Sequence, residues 1–224
     1  MISSATLYRL SGLALLMGAL LEIITAIVIA LLFPSNTPQQ ASSAPQQYLT
    51  TSWLIVALLS LVSSLLQVGG LPGVCVRQRA QAGRLGLVGF ILTQAGSILF
   101  VGINVIDLLV LPFLAVNDQR LLTPPASYTT YLLAAALLVT VGVVLLGLAT
   151  MRAVVFPRWA ALLLIVSIVI NLVSFTPLPT GIGGLVEKVA EVLYALGLAW
   201  MGWVLLAERG ATLVQPLATP QVSR

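Results

Sequence analysis

Six stretches of this chain, 7–33, 48–76, 85–114, 130–151, 159–175 and 182–208, run as almost unbroken apolar sequence. A helix needs about 20 such residues, rising 1.5 Å each, to cross a hydrocarbon core roughly 30 Å thick. In lipid it also satisfies its own backbone polar groups, which an isolated strand does not. Charged residues make up only 7% of the chain, against roughly 25% in soluble domains, too few to solvate a globule. The sequence therefore predicts an all-α polytopic membrane protein. Its one domain, 1–210, is a bundle of six transmembrane helices, and 211–224 is a short cytoplasmic tail with two prolines.

Local signals set the expected boundaries. Pro34 stops the first span, and Gly69, Gly70, Pro72 and Gly73 are expected to break or kink the end of the second. The first stretch is longer than the roughly 7–15-residue core of a cleavable signal peptide and has only Arg9 before it, so it reads as an uncleaved span. The connections at 34–47 and 117–127, rich in Pro, Ser and Gln or carrying Pro124–Pro125, read as irregular loops. Spans two and three, and four and five, are joined by short Arg-bearing turns and should form antiparallel hairpins. The likeness of these two hairpins leaves an internal duplication open.

Loop charge predicts orientation. Arg9, Arg77, Arg79, Arg84, Arg152, Arg158, Arg209 and Arg224 all fall on one side of a six-span chain, and Arg120 alone falls in the opposite loops. By the positive-inside rule both termini are cytoplasmic, here of a bacterial plasma membrane.

Composition also excludes chemistry. There is no histidine, and Cys75 is the lone cysteine. Bis-His haem ligation, the usual zinc sites, an internal disulfide and Ser-His or Cys-His nucleophile pairs are thus absent, and no metal or other cofactor is expected. A net charge of +4 is spread along membrane boundaries, so nucleic acid is not an expected partner. The expected partners are the lipid bilayer and a small polar solute, proton or cation.

Ionisable groups are costly at the bilayer centre, by about 2.5–3.5 kcal/mol on insertion scales, so each calls for a partner, water or a function. Five lie inside the spans: Glu22, Asp107, Glu187, Lys188 and Glu191, joined by the amides Asn104 and Asn171. Glu22 lies ~20 Å along its helix from Arg9, Asn171 ~20 Å from Arg158, and Glu191 ~13 Å below the opposite boundary, all in the outer half. Glu187 and Glu191 share a helix face at i,i+4, Lys188 can pair with Glu191 at i,i+3, and Asn104 and Asp107 also share a face. If those faces turn inward, four helices line one polar chamber. The plainer alternative puts Asp107, Glu187 and Lys188 in the headgroup region, snorkelling. Glu22, flanked by Leu20-Leu21 and Ile23-Ile24, does not admit that reading, and is either a structural carboxylate or a functional one.

Other polar groups read as packing. Gln67 and Gln94 are at equal depth on adjacent spans and are expected to bond to each other, with Ser60, Ser63 and Ser64 as further contacts. Ala14, Gly18, Gly86, Gly89, Gly96, Gly102, Gly142, Gly147, Gly197 and Gly202 mark close helix approach. Trp53, Tyr128, Tyr131, Trp159, Trp200 and Trp203 lie near span ends as interfacial anchors.

The opening Tyr8-Arg9-Leu10-Ser11-Gly12-Leu13, with its Arg-x-x-Gly, resembles the start of a bacterial family of six-span membrane proteins of unknown function. The closing stretch is similar too, from Glu191-Val192-Leu193-Tyr194 through Trp203 to Glu208-Arg209-Gly210. The resemblance implies six spans in a bacterial plasma membrane and brings no activity, ligand or catalytic residue.

Three functions are compatible with these residues. One is a proton- or cation-responsive binding or carrier protein centred on Glu22 and Glu191. Another is a non-enzymatic membrane subunit or helper acting through its helix surfaces. The last is an intramembrane lipid enzyme using paired carboxylates, for which neither Gly-x-Ser-x-Gly nor His-Glu-x-x-His is present. No enzymatic activity is expected.

Overall fold

The computed structural model describes residues 4–32, 45–117, 126–174 and 182–207. Among them every regular element is helical: α1 (Ser4–Leu32), α2 (Thr51–Val105), α3 (Leu111–Asn117), α4 (Ala126–Ala153), α5 (Arg158–Ser174) and α6 (Ile182–Ala207). A 3-10 turn (Pro45–Leu49) precedes α2, and a π-helical segment (Ile106–Val110) joins α2 to α3. Four helices are long and apolar enough to cross a membrane: Thr6–Leu32, Thr51–Asn117, Tyr128–Ala153 and Ile182–Ala207, while the apolar helix Arg158–Val173 is shorter. Their outward faces are apolar, with Leu31 74%, Val116 68%, Leu137 64% and Trp203 62% exposed. Continuous apolar exposure of this kind suits lipid, not water. Pro34, Asp118, Arg120, Glu208, Arg209, Arg224 and the expected tail lie outside the described residues.

The helix Thr51–Asn117 is folded back on itself. Gly83, at φ 57° and ψ −153°, is the one non-helical residue inside α2, in a region of backbone space open essentially only to glycine. The arms 51–82 and 84–105 run antiparallel. Gln94 Nε2 donates to the Val68 carbonyl at 3.0 Å, Asn104 Nδ2 to Ser64 Oγ at 3.1 Å, and Trp53 Nε1 to the Asp107 carbonyl at 3.1 Å. The expected hairpin is present and reverses at Gly83, within the expected Arg-bearing turn, but the helix runs through Gly69, Gly70, Pro72 and Gly73, where a break or kink is expected.

The reason lies in what those residues meet. Pro72 lacks the N–H that would bond to the carbonyl four residues back, at Val68. That freed carbonyl is the one the Gln94 amide occupies. A side chain from the second arm thus heals the proline defect in the first. Gly70 and Gly73 lie against α1: a Cβ at Gly70 would come 2.9 Å from the Ser11 carbonyl oxygen, and one at Gly73 2.7 Å from Ser11 Oγ. The start of α2 also differs from the expected Tyr48. Thr50 caps the helix, its side chain accepting from Trp53 N–H at 3.2 Å, and Tyr48 belongs to the 3-10 turn. A Thr N-cap satisfies an otherwise orphaned backbone donor.

The helices close into a ring in which α1 packs on α2 and α6, α2 on α4, and α5 on α4 and α6. Close backbone approach sets the pairs: Gly12 against Gly202, Gly89 against Leu146, Gly96 against Val139, Gly142 against Thr93 and Gly197 against Leu164. Leu15, Leu71, Val143, Leu164, Leu198 and Met201 fill the ring, so it is a packed core and not an open channel. Phe156, from the short link between α4 and α5, also inserts into this core, although neighbouring Val154 must adopt φ 53°. The pairings alternate helix direction around the ring. They bring Arg9, Arg77, Arg79, Arg84, Arg152 and Arg158 to one end of the bundle.

Candidate functional site

The deepest polar cluster in the bundle is built by α1, the first arm of α2, and α6. On α1, small and polar residues recur at helical spacing, with Ser11, Gly12, Leu15, Gly18, Ala19, Thr25 and Ala26 buried. Glu22 continues this stripe and so faces protein instead of lipid. Its Oε2 accepts from Ser63 Oγ at 2.7 Å and from Gln67 Nε2 at 3.3 Å. Ser63 is fully buried and its Oγ also lies 2.9 Å from the Gly18 carbonyl, while Gln67 Nε2 lies 3.1 Å from Ser63 Oγ. Gly18 makes this contact geometrically possible, since a Cβ there would come 3.1 Å from the Ser63 carbonyl oxygen.

The proton count of this triad is informative. A serine hydroxyl has one hydrogen to donate, and Ser63 Oγ faces two acceptors. With Glu22 ionised, the hydroxyl points to the carboxylate. With Glu22 protonated, the carboxyl O–H donates to Ser63, and Ser63 donates to the Gly18 carbonyl. The same heavy-atom positions therefore serve both states.

From α6, Lys188 Nζ pairs with Glu191 Oε1 at 2.7 Å, both side chains partly buried at 18% and 25% exposure. Lys188 also interacts electrostatically with Glu187 and with Glu22, and Glu22 with Glu191. The cluster thus holds three carboxylates and a single ammonium. Tyr194, which is not among the candidate residues expected from the sequence, interacts electrostatically with Glu22. Glu187, Glu191 and Tyr194 stand at i, i+4 and i+7, a helical stripe visible in the sequence. Beside the cluster, α1 and α6 leave an open, apolar groove of about 220 Å³ lined by Ala26, Ile27, Ala30, Lys188, Val192 and Leu193 among others. That is below the roughly 300–1,000 Å³ of sites for drug-sized ligands.

Of the remaining candidates, Asn104 and Asp107 are placed elsewhere. Asn104 bonds to Ser64 between the two arms of α2. Asp107 is on the π-helical segment, with Tyr48 and Tyr128 as its electrostatic neighbours. Asn171 is on α5, half-buried and engaged in an interaction of its own, and α5 packs on α4 and α6. Glu22, Glu187, Lys188 and Glu191 are brought together; Asn104 and Asp107 belong to a different part of the bundle. The expected Gln67–Gln94 bond is replaced by two others, because Gln67 faces α1 while Val68, about 100° further round the helix, faces the second arm. Among the described residues, no group of three or more Cys, Asp or Glu side chains converges to hold a metal ion. No family model matches the sequence, and no curated protein or solved structure matches it.

Proposed function

We propose that this chain is a multi-pass protein of the bacterial plasma membrane, crossing six times with both termini in the cytoplasm. Its Glu22 cluster serves as a proton- or cation-responsive site in binding or carrying a small solute. The six-span count is supported by the reversal at Gly83, which makes two spans of the helix Thr51–Asn117, and by the apolar helix Arg158–Val173. The orientation is supported by the gathering of arginines at one end.

The observation that carries the functional reading is Glu22 held by Ser63 and Gln67 beside the Lys188–Glu191 pair. Lys188 neutralises one carboxylate, and the excess negative charge in the membrane calls for a proton or cation. The Ser63 hydroxyl accommodates either state of Glu22 without rearrangement.

Thermal stability of the purified protein, measured from about pH 5 to pH 8 and against a panel of monovalent cations, tests this reading. The unsubstituted protein should show a stability step with pH, and Glu22→Gln, which is always neutral, should flatten it. Glu191→Gln should shift the step by removing the partner of Lys188. Profiles unchanged in both variants would sink the reading and leave a helper acting through helix surfaces.

A further inference from the structure

At the arginine end of the bundle, Arg79, Arg84, Arg152 and Arg158 are all exposed. The one ion pair among the described residues is Lys188–Glu191. Every described carboxylate lies away from these four guanidiniums: Glu22, Glu187 and Glu191 in the cluster between α1 and α6, and Asp107 on the π-helical segment. Backbone register brings the four arginines to one level. Gly96 meets Val139, Gly89 meets Leu146 and Gly86 meets Ala149. Each step along the second arm of α2 is thus matched by one step back along α4, and Arg84 comes level with Met151 and Arg152. On the first arm, Thr150 Oγ1 donates to Gln78 Oε1 at 2.8 Å, which sets Arg79 at the same level. Gly147 meets Ile165 and the Ala161 carbonyl, and the same counting brings Arg158, at the start of α5, level with the end of α4.

The surface beside these arginines is apolar. Val154 is 64% exposed and Trp159 67%, and Leu87 and Val88, one turn beyond Arg84, are 51% and 47% exposed. Val154 holds φ 53°, a conformation that costs a β-branched residue on the order of 1–3 kcal/mol. The buried Phe156 fixes the link two residues on. The link therefore keeps an apolar side chain at the surface between Arg152 and Arg158. Inorganic phosphate would answer the guanidiniums and leave these apolar residues uncovered. An anionic lipid answers both, with a phosphate for the guanidiniums and acyl chains for the apolar side chains next to them.

We propose that Arg79, Arg84, Arg152 and Arg158, with Val154 and Trp159, form a docking surface for an anionic phospholipid on the outside of the bundle, where α2, α4 and α5 meet. The surface requires no cavity and nothing of Glu22, and it stands or falls independently of the function proposed above.

Thermal unfolding of the full-length protein in an uncharged detergent, with phosphatidylglycerol, phosphatidylcholine or inorganic phosphate added in turn, tests this. Phosphatidylglycerol should raise the midpoint saturably and by more than phosphatidylcholine, and inorganic phosphate at equal concentration should not. The double variant Arg84→Gln/Arg152→Gln should need about tenfold or more phosphatidylglycerol for the same rise, because two surface charges are lost. Arg9→Gln, at the same end but on α1, should leave the response unchanged. Added salt should shrink the phosphatidylglycerol effect in the unsubstituted protein. Equal response to the two lipids, the full rise with inorganic phosphate, a salt-independent response, or an unchanged response in the folded double variant would overturn the proposal. Equal loss in Arg9→Gln would overturn it too, since it would mark a general charge effect. If circular dichroism shows the double variant unfolded, full response in folded Arg158→Gln overturns it equally.

Discussion

At the scale of single residues, Ser63 decides more than its sequence context suggests. In the sequence it is one of several serines on an apolar helix; in the structure its hydroxyl touches Glu22, Gln67 and the Gly18 carbonyl. Ser63→Ala removes the donor that accommodates both states of Glu22. It is expected to destabilise the protein by about 1–3 kcal/mol, the usual result of stranding a buried polar partner, and to displace the pH step, which Glu22→Gln abolishes. Thermal melts of the two single variants and the double variant check both effects. Gly12 is a parallel case. The physical reason for a glycine there is contact: a Cβ at Gly12 would lie 2.8 Å from the Gly202 carbonyl oxygen, and one at Gly202 2.8 Å from that of Gly12.

At the scale of elements, the helices were readable and their irregularities were not. Long apolar runs predict α1, α4, α5 and α6 to within a few residues of their observed ends, because the bilayer length requirement acts on each run separately. The proline and glycines of α2 predict a break or kink, yet the helix continues through them, because whether a proline interrupts a helix depends on who meets the carbonyl it frees. Here Gln94 does, from 26 residues away. Gln94→Leu is therefore expected to lose about 1–3 kcal/mol through the unpaired Val68 carbonyl. Pro72→Ala should restore the backbone N–H and make the Gln94→Leu loss much smaller. A double-mutant cycle on thermal stability checks the coupling, and simple additivity would refute the assignment. The π-helical turn at Ile106–Val110 has no sequence signal of its own; the sequence offers Asp107 as a candidate chamber or headgroup residue and Trp53 as an interfacial anchor, with nothing to join them.

For the whole molecule, the alternating ring of helices brings six arginines to a single end, as a charge-sorted chain should. Reporter fusions check the proposed orientation. A periplasm-dependent phosphatase should be inactive at the C-terminus and active when placed within 118–125, and a reversed pattern would refute it. The two arginine turns that resembled each other are built differently: one reverses at a glycine with positive φ, the other uses Val154 in that region and buries Phe156. The expected single chamber also divides at this scale. Glu22 meets the Lys188–Glu191 pair where α1 packs on α6, while Asn104 bonds between the arms of α2 and Asp107 lies on the π-helical segment; depth is one coordinate of three. The order of helices around the ring sets α1 against α6 and α2, and α5 against α4 and α6.

By itself, the sequence determined the class, the helices and the sorting of charge, because hydrophobic length and loop charge are properties of local segments facing a uniform solvent. Only the tertiary structure decided that Glu22 meets Ser63 and Lys188, that Gln94 repairs Pro72, and that the Asp107 carbonyl holds the Trp53 indole. Those outcomes depend on which helix faces meet, and in an apolar medium the faces are chosen by close packing and by pairing of the few polar groups, information carried jointly by segments far apart in the chain.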